Sequence, residues 1–402
     1  MPGTLSYLIV GACAAVVTFG LTFVVKKAAF RLGWVVAPDE RRVHKVTTPD
    51  VGGIAMFGGF VVALGVSRLM NPFDSLYARN SEPRGVVIAA AIIFLVGLLD
   101  DVRDISAPAK VAGTVAAGLV LVWYGVTMYY FRLPLIDVYL LAEEWIPLVT
   151  IVWLLGMSQA INLIDGLDGL AAGIVAIGAG AFFLYSRELE ARNLITPPNI
   201  GPLICIITVG ICLGFLPHNF NPARIFMGDG GALLLGLLMA VSTSVVGGRA
   251  DPVDQQAFGQ SYFFLAPLFI PLVILGVPIL DTLWAIIRRT TRRQNFATAD
   301  KKHLHHRLMN LGHGQRRSVL ILWLWTAILS ALALSPVYTN SGATPATLGV
   351  LALGLGLFTV LHPEVRRNRA LRATNGDANH VDPALPGADP GPADLELPKG
   401  IS

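Results

Sequence analysis

Five aspartates and a cluster of histidines stand out in a chain otherwise dominated by hydrocarbon. Asp100 and Asp101 are adjacent in LLDDVRDIS, Asp165 and Asp168 lie three apart in INLIDGLDGLAAG with Asn162 just ahead, and Asp229 precedes a glycine pair in FMGDGGALLLG. Carboxylates are hard oxygen donors of the kind Mg²⁺ takes, usually one or two of them completed by substrate phosphates. A helix opening at Asp229 would also present free N-terminal amides suited to phosphate. Further on, DKKHLHHRL gathers His303, His305, His306 and Arg307 beside Lys301 and Lys302, after the pairs Arg288/Arg289 and Arg292/Arg293. Such a set can clamp a phosphate or pyrophosphate. Carboxylates suited to a metal, with cations suited to a diphosphate, point to a site for a phosphorylated ligand.

Blander readings compete with each of these. Asp100 and Asp101 could solvate a helix end, although carboxylates near a helix C-terminus oppose its dipole; Asp104 alone is read that way. Asp168 or a neighbour could cap the following helix, and Asp229 could cap its own. Capping explains one carboxylate at 165–168 but not two plus Asn162. The HxHH run could hold zinc, but neither a cysteine nor a fourth ligand accompanies it. Lys45 could reach the same anion or simply anchor a loop to the membrane surface. Asp281, about two turns before Arg288, could pair with basic groups, since intramembrane carboxylates are seldom idle.

The elements that must position these groups are membrane spans. Of 402 residues, 54% are hydrophobic and 14% charged, with mean hydropathy +0.63; a soluble domain carries about 25% charged residues. Eleven apolar runs are predicted as spans, near 5–25, 51–70, 85–99, 109–126, 146–161, 169–185, 200–216, 231–247, 262–287, 318–335 and 346–361. Helices are expected because backbone amides in lipid must bond within their own segment, and no alternating pattern suggests a barrel. The fold class expected is an all-α polytopic membrane protein, with residues 1–361 as the transmembrane domain and 362–402 as a cytoplasmic, disordered tail. The first span, lacking a charged n-region and cleavage site, reads as a retained helix.

Loops after the odd-numbered spans, with the tail, hold 23 of the 30 Lys and Arg. By the positive-inside rule this face is cytoplasmic, with the N-terminus outside. The same parity places all five polar loops on that one face, which argues for a single site there. Cys13, Cys205 and Cys212 lie inside predicted spans, so a disulfide framework is not expected. The net charge of +4 follows the positive-inside pattern rather than a nucleic-acid patch. Neither a 20–50-residue repeat nor a second, soluble domain is visible.

Taken in order, HKVTTPDVGG, GLLDDVRDIS, NLIDGLDGLAAG, NPARIFMGDGG, PILDTLWAIIRR and DKKHLHHRL resemble the motifs of the polyprenyl-phosphate N-acetylhexosamine-1-phosphate transferase family. The resemblance runs from about Arg41 to Arg317. It implies transfer of a sugar 1-phosphate from a UDP-sugar to a membrane polyprenyl phosphate (undecaprenyl or decaprenyl), with release of UMP and with Mg²⁺, or Mn²⁺, as cofactor. HLHHRL after ADKK is similar to the UDP-GlcNAc-using branch rather than the UDP-MurNAc-pentapeptide branch, which typically shows three consecutive histidines. The resemblance further implies a bacterial plasma-membrane enzyme acting at the first lipid-linked step of a cell-envelope glycan, with a homodimer as a family-level expectation.

On this resemblance Asp229 is the principal metal ligand, with Asn162 as a second. Asp100 is the base for the lipid phosphate, with Asp101 beside it. Asp165, Asp168 and Asn219 belong to the nucleotide and diphosphate pocket, and His303, His305, His306 and Arg307 to the diphosphate clamp. Lys45 joins them, although HKVTTPD departs from the pentapeptide branch. The alternatives from other classes are a proton- or cation-coupled transporter, whose polar groups would sit near the midplane with internal repeats, and a membrane scaffold.

Overall fold

The computed structural model describes residues 2–36, 47–78, 80–133, 136–140, 142–195, 197–246, 248, 314–338 and 343–361. The ninth predicted span, Lys45, Asp281, the histidine loop with His303, His305, His306 and Arg307, and the tail lie outside the described residues. Eleven helices carry the rest: α1 Thr4–Leu32, α2 Gly53–Arg68, α3 Asp74–Ala78, α4 Glu82–Arg103, α5 Ala107–Trp123, α6 Ile146–Ile164, α7 Leu170–Ala191, α8 Gly201–Asn219, α9 Gly228–Val246, α10 Gln315–Tyr338 and α11 Ala343–Leu361.

Local chemistry explains where these helices begin and end. Proline stands in the first turn of α4, α5, α6 and α8, where its missing N–H would have had no partner. Gly33 ends α1 in the left-handed conformation, with its N–H returned to the Ala29 carbonyl. Within the spans, several hydroxyls bond back one turn, Thr114 to the Lys110 carbonyl, Thr150 to Ile146 and Thr208 to Ile204, which pairs those three in an apolar medium.

The protein is an all-α polytopic membrane protein, but the described residues do not reach the predicted count of eleven spans. Seven helices are long and apolar enough to cross a bilayer, or eight if α2 is joined to the segment Asn71–Ala78, which turns from it by 89°. Of the predicted spans not counted, the ninth lies outside the described residues, and α5, with 17 residues, gives about 26 Å of helix against roughly 30 Å of hydrocarbon. Two short antiparallel hairpins, absent from the sequence-based reading, flank the bundle. One pairs β1 Val35–Val36 with β2 Thr48–Pro49; the other pairs β3 Tyr130–Leu133 with β4 Ile136–Leu140.

α9 is the axis of the bundle. Every residue from Gly230 to Val246 is buried, and α2, α4, α6, α7 and α8 all pack on it. α1 lies on α8 and α2, α5 bridges α4 and α6, α10 seats on α7, and α11 reaches the rest through α10. The outer helices carry exposed apolar faces, among them Leu5, Val16 and Phe23 on α1 and Val350 and Leu353 on α11, as lipid-facing surfaces must. Chain direction then decides where polar groups gather: α4, α6 and α8 end, and α2, α5, α7 and α9 begin, at one end of the bundle.

Two glycine contacts bring neighbours onto the first turn of α9. A Cβ on Gly97 of α4 would stand 2.5 Å from the Gly230 Cα, and one on Gly53 of α2 would stand 2.3 Å from the Gly231 nitrogen. Only backbone can approach backbone this closely. Gly97→Val is therefore expected to wedge α4 off α9 and destabilise the protein by about 1–3 kcal/mol. A lowered midpoint of thermal unfolding in detergent would show this, against Gly156→Ala, whose methyl meets open space and does not lower the midpoint.

Candidate active site

The first turn of α9 is capped from another helix. Asp101, in the last turn of α4, accepts the Asp229 N–H on Oδ1 at 2.6 Å and the Gly230 N–H on Oδ2 at 3.0 Å. These amides have no partner within their own helix, and the carboxylate meets the positive end of the α9 dipole. The expectation that Asp229 caps its own helix gives way to this arrangement, in which Asp229 is part of the helix and Asp101 is the cap. The segment before α9 is tied down as well: Phe226 donates to the Pro49 carbonyl at 2.8 Å, and Gly52 and Gly53 donate to the carbonyls of Phe226 and Met227 at 2.9 and 2.8 Å. Asp50 is thereby held at the same corner.

Asp100 faces a second direction. Its Oδ1 accepts the Ile105 N–H at 2.9 Å, closing the turn between α4 and α5, and Asp104 supports that reversal in the left-handed conformation at φ 54°. Its Oδ2 lies 2.5 Å from the Lys110 ammonium, which also lies 2.7 Å from Asp229 Oδ2. One lysine from the first turn of α5 thus stands between carboxylates from α4 and α9. Its side chain and both carboxylates are each about three-quarters or more buried, so the pairing is screened far less than a surface ion pair. These contacts offset the unfavourable placement of Asp100 and Asp101 at the C-terminal end of α4.

A second cluster is built on the α6–α7 turn and the segment after α8. Asp168 Oδ2 accepts the Asn221 side-chain amide at 2.8 Å and the Ala223 N–H at 3.0 Å. Gly169, not Asp168, is the N-cap of α7, at φ 77° and without a side-chain cap, so the capping reading of Asp168 is corrected here. The Gly169 N–H donates to Asn219 Oδ1 at 3.0 Å, while Asn219 Nδ2 donates to the Ile225 carbonyl at 3.0 Å. Buried Asn219 is therefore a clamp between two loops. Asn221 also donates to Gln315 Oε1 at 2.7 Å, and Arg316 Nε donates to the Asn221 carbonyl at 2.9 Å, which seats the start of α10 on the same corner.

Asp165 joins the clusters electrostatically. It caps the C-terminus of α6, with its N–H on the Asn162 carbonyl at 3.2 Å, and Asn162 occupies the last turn of that helix. Its carboxyl is held well above the ordinary carboxylate range, by burial first and then by the negative charges of Asp50, Asp229, Asp101 and Asp168. A convergence of carboxylates that raises one another's proton affinity calls for a cation.

Sequence-predicted residues thus meet in two linked groups, Asp100 with Asp101 and Asp229, and Asp165 with Asp168 and Asn219, while Asn162 joins the second through its backbone carbonyl. Lys110, Asp50 and Asn221 were missed as site residues. Lys110 had counted only toward the positive-inside pattern, and Asp50 and Asn221 lay unremarked within quoted motifs. Among the described residues no three His, Cys, Asp or Glu side chains are placed to hold a metal ion by themselves. Removing the bridging charge leaves two buried carboxylates facing each other, so Lys110→Met is expected to cost about 3–5 kcal/mol of stability. Chemical unfolding in detergent should show that loss, and adding Asp229→Asn should restore part of it.

With this geometry in view, the comparisons with known proteins fall into place. Residues 84–247, from α4 through α9, match the model of glycosyl transferase family 4. The chain is 36% identical over 367 residues, 89% of each chain, to a Mycolicibacterium smegmatis protein named decaprenyl-phosphate N-acetylglucosaminephosphotransferase. A Mycobacterium tuberculosis protein of the same name is 37% identical over 89% of each chain. A Bacillus subtilis protein named "Probable undecaprenyl-phosphate N-acetylglucosaminyl 1-phosphate transferase" is 35% identical, over 78% of this chain and 80% of the relative. Similarity of this depth over nearly the full length of both chains means that the chain belongs to glycosyl transferase family 4.

Proposed function

We propose that the protein transfers N-acetylglucosamine 1-phosphate from UDP-GlcNAc to a membrane polyprenyl phosphate, releasing UMP, at the cytoplasmic face of a bacterial plasma membrane. The observation that carries this reading is the acidic corner, in which Lys110 bridges Asp100 and Asp229 at the common end of the helices. The names of the relatives supply the sugar and the acceptor class. A reaction between an aqueous nucleotide and a lipid phosphate needs a site at a membrane surface, and polar groups collected at helix ends suit it better than they suit a midplane transport site.

In the direct reaction, an oxygen of the lipid phosphate forms a bond to the β-phosphorus of UDP-GlcNAc. The phosphoanhydride bond breaks, and its electron pair leaves on UMP. Such transfers depend on positioning and charge neutralisation more than on covalent help. Asp100 accepts the remaining proton of the lipid phosphate, which makes the attacking oxygen a stronger nucleophile. Lys110, already bound to two carboxylates, offers its ammonium to an incoming phosphate. Asp101 spends both oxygens on backbone amides and is a positioning residue. Asp168 and Asn219 hold the two loops that line the nucleotide side.

The donor set fits a divalent cation: carboxylates crowd Asp165, a cation already sits against Asp229, and Mg²⁺ completed by substrate phosphates does not need a three-carboxylate cage. Asp229, with Asn162, would hold it, and when bound Mg²⁺ neutralises diphosphate charge.

Membranes containing the protein, given polyprenyl phosphate, UDP-GlcNAc and Mg²⁺, are expected to release UMP and form a lipid-linked product, and a chelator should stop both. UMP release from UDP-MurNAc-pentapeptide but not UDP-GlcNAc would contradict the sugar assignment, and uptake of solute without UMP would contradict the reaction. Asp229→Asn should raise the Mg²⁺ requirement. Asp100→Asn should lower kcat by about 10²–10⁴-fold, the range of a lost general base, and a change confined to KM would contradict that role.

A further inference from the structure

At the end of the bundle opposite the acidic corner, α2 and α4 border an open groove of about 500 Å³. Its walls are mostly apolar, with Val87 and Ile88 from α4 facing the α2 surface around Gly65. A methyl added at Gly65 would meet nothing within 4 Å, so the glycine leaves open a space that a larger side chain would fill. α4 is long and apolar enough to cross a bilayer, and α2 is counted with it when joined to the segment Asn71–Ala78, which places the apolar walls in hydrocarbon.

The mouth is different in kind. Arg68, Tyr77 and Arg84 line it. The Arg68 guanidinium lies 5.1 Å over the Tyr77 ring, and the Tyr77 hydroxyl is fixed by the Ser67 hydroxyl at 2.5 Å and the Leu64 carbonyl at 3.1 Å. Arg68 is thus pre-positioned. Its contact with Asp74 is loose, at 4.0 Å between two mostly exposed side chains, and a pair of that kind contributes little. Only seven of the 30 Lys and Arg fall on this side of the bundle by sequence. Of these, Arg187 and Arg192 are paired to Glu190 and Glu188, whereas Arg68 and Arg84 converge on one apolar groove.

We propose that this groove binds an anionic phospholipid, with its phosphate between Arg68 and Arg84 and one acyl chain lying along α2 and α4 past Gly65. Charge complementarity selects the occupant: an apolar wall takes an acyl chain of any lipid, but two arginines at the headgroup level favour one with net negative charge. Tyr77 at the same level is the aromatic that membrane interfaces favour.

The test is native mass spectrometry of the delipidated full chain titrated with phosphatidylglycerol or phosphatidylcholine. Phosphatidylglycerol is expected to give the tighter adduct, and Arg68→Ala/Arg84→Ala to weaken it by roughly tenfold, at about 1 kcal/mol or less per basic side chain. Gly65→Trp should remove that adduct by filling the groove. Equal retention of the two lipids by the wild type, or an undiminished preference in the double variant, would overturn the proposal. So would a shifted monomer–dimer ratio in the variants with lipid adducts unchanged, which would assign the groove to a second copy of the chain. If Gly65→Trp fails to fold, judged by its unfolding midpoint, the arginine variant decides alone.

Discussion

The structure depends on the carboxylate of Asp101 reaching across from α4 to the N-terminus of α9. α9 is buried along almost its whole length, so the free amides at its start are largely shut off from water. An unsatisfied buried amide costs about 1–3 kcal/mol, and two are met here by one side chain. The same contact fixes the relative height of α4 and α9 and therefore sets Asp100 beside Asp229. Gly97 and Gly230 serve this contact by letting the two backbones touch.

Once the two helices are locked, charge has to be balanced. Asp50, Asp101, Asp165, Asp168 and Asp229 act on one another at a corner partly shielded from water, and Lys110 is the cation directly bonded to two of the acidic side chains there. Repulsion left over after that pairing is a standing demand for positive charge. A metal-bound diphosphate substrate would meet it, which ties the stability of the corner to its proposed chemistry. The clamp formed by Asn219, and the seating of Gln315 and Arg316 on Asn221, carry the order of this corner outward to α7 and α10.

Much of this was legible in the sequence because lipid imposes strict rules. Apolar runs of span length marked ten of the helical regions in the described residues, and charge parity placed the aspartate motifs at one end of the bundle, where the chain directions of α4, α6, α8 and α9 put them. Asp229 was legible because a carboxylate before a glycine pair at the head of an apolar run is unusual. What escaped was whatever depends on distant partners. Lys110 and Asp229 are 119 residues apart, and nothing local distinguishes Lys110 from a charge that merely orients a loop. Asp168 looked like a cap because Asp is a common one, but its acceptor is needed by Asn221 and Ala223, more than fifty residues away. By length, the described residues carry seven or eight of the eleven predicted spans; the ninth lies outside them, and α5 shows that hydropathy registers apolarity without measuring how far a helix extends.

The most direct test of the central contact is thermal unfolding of Asp101→Ala beside the wild type in the same detergent, with UMP release followed on both. Loss of the cap should lower the unfolding midpoint by several degrees and abolish UMP release, because the α9 amides lose their partner and Asp229 its position. An Asp101→Ala protein that melts with the wild type and still releases UMP at the wild-type rate would contradict the account.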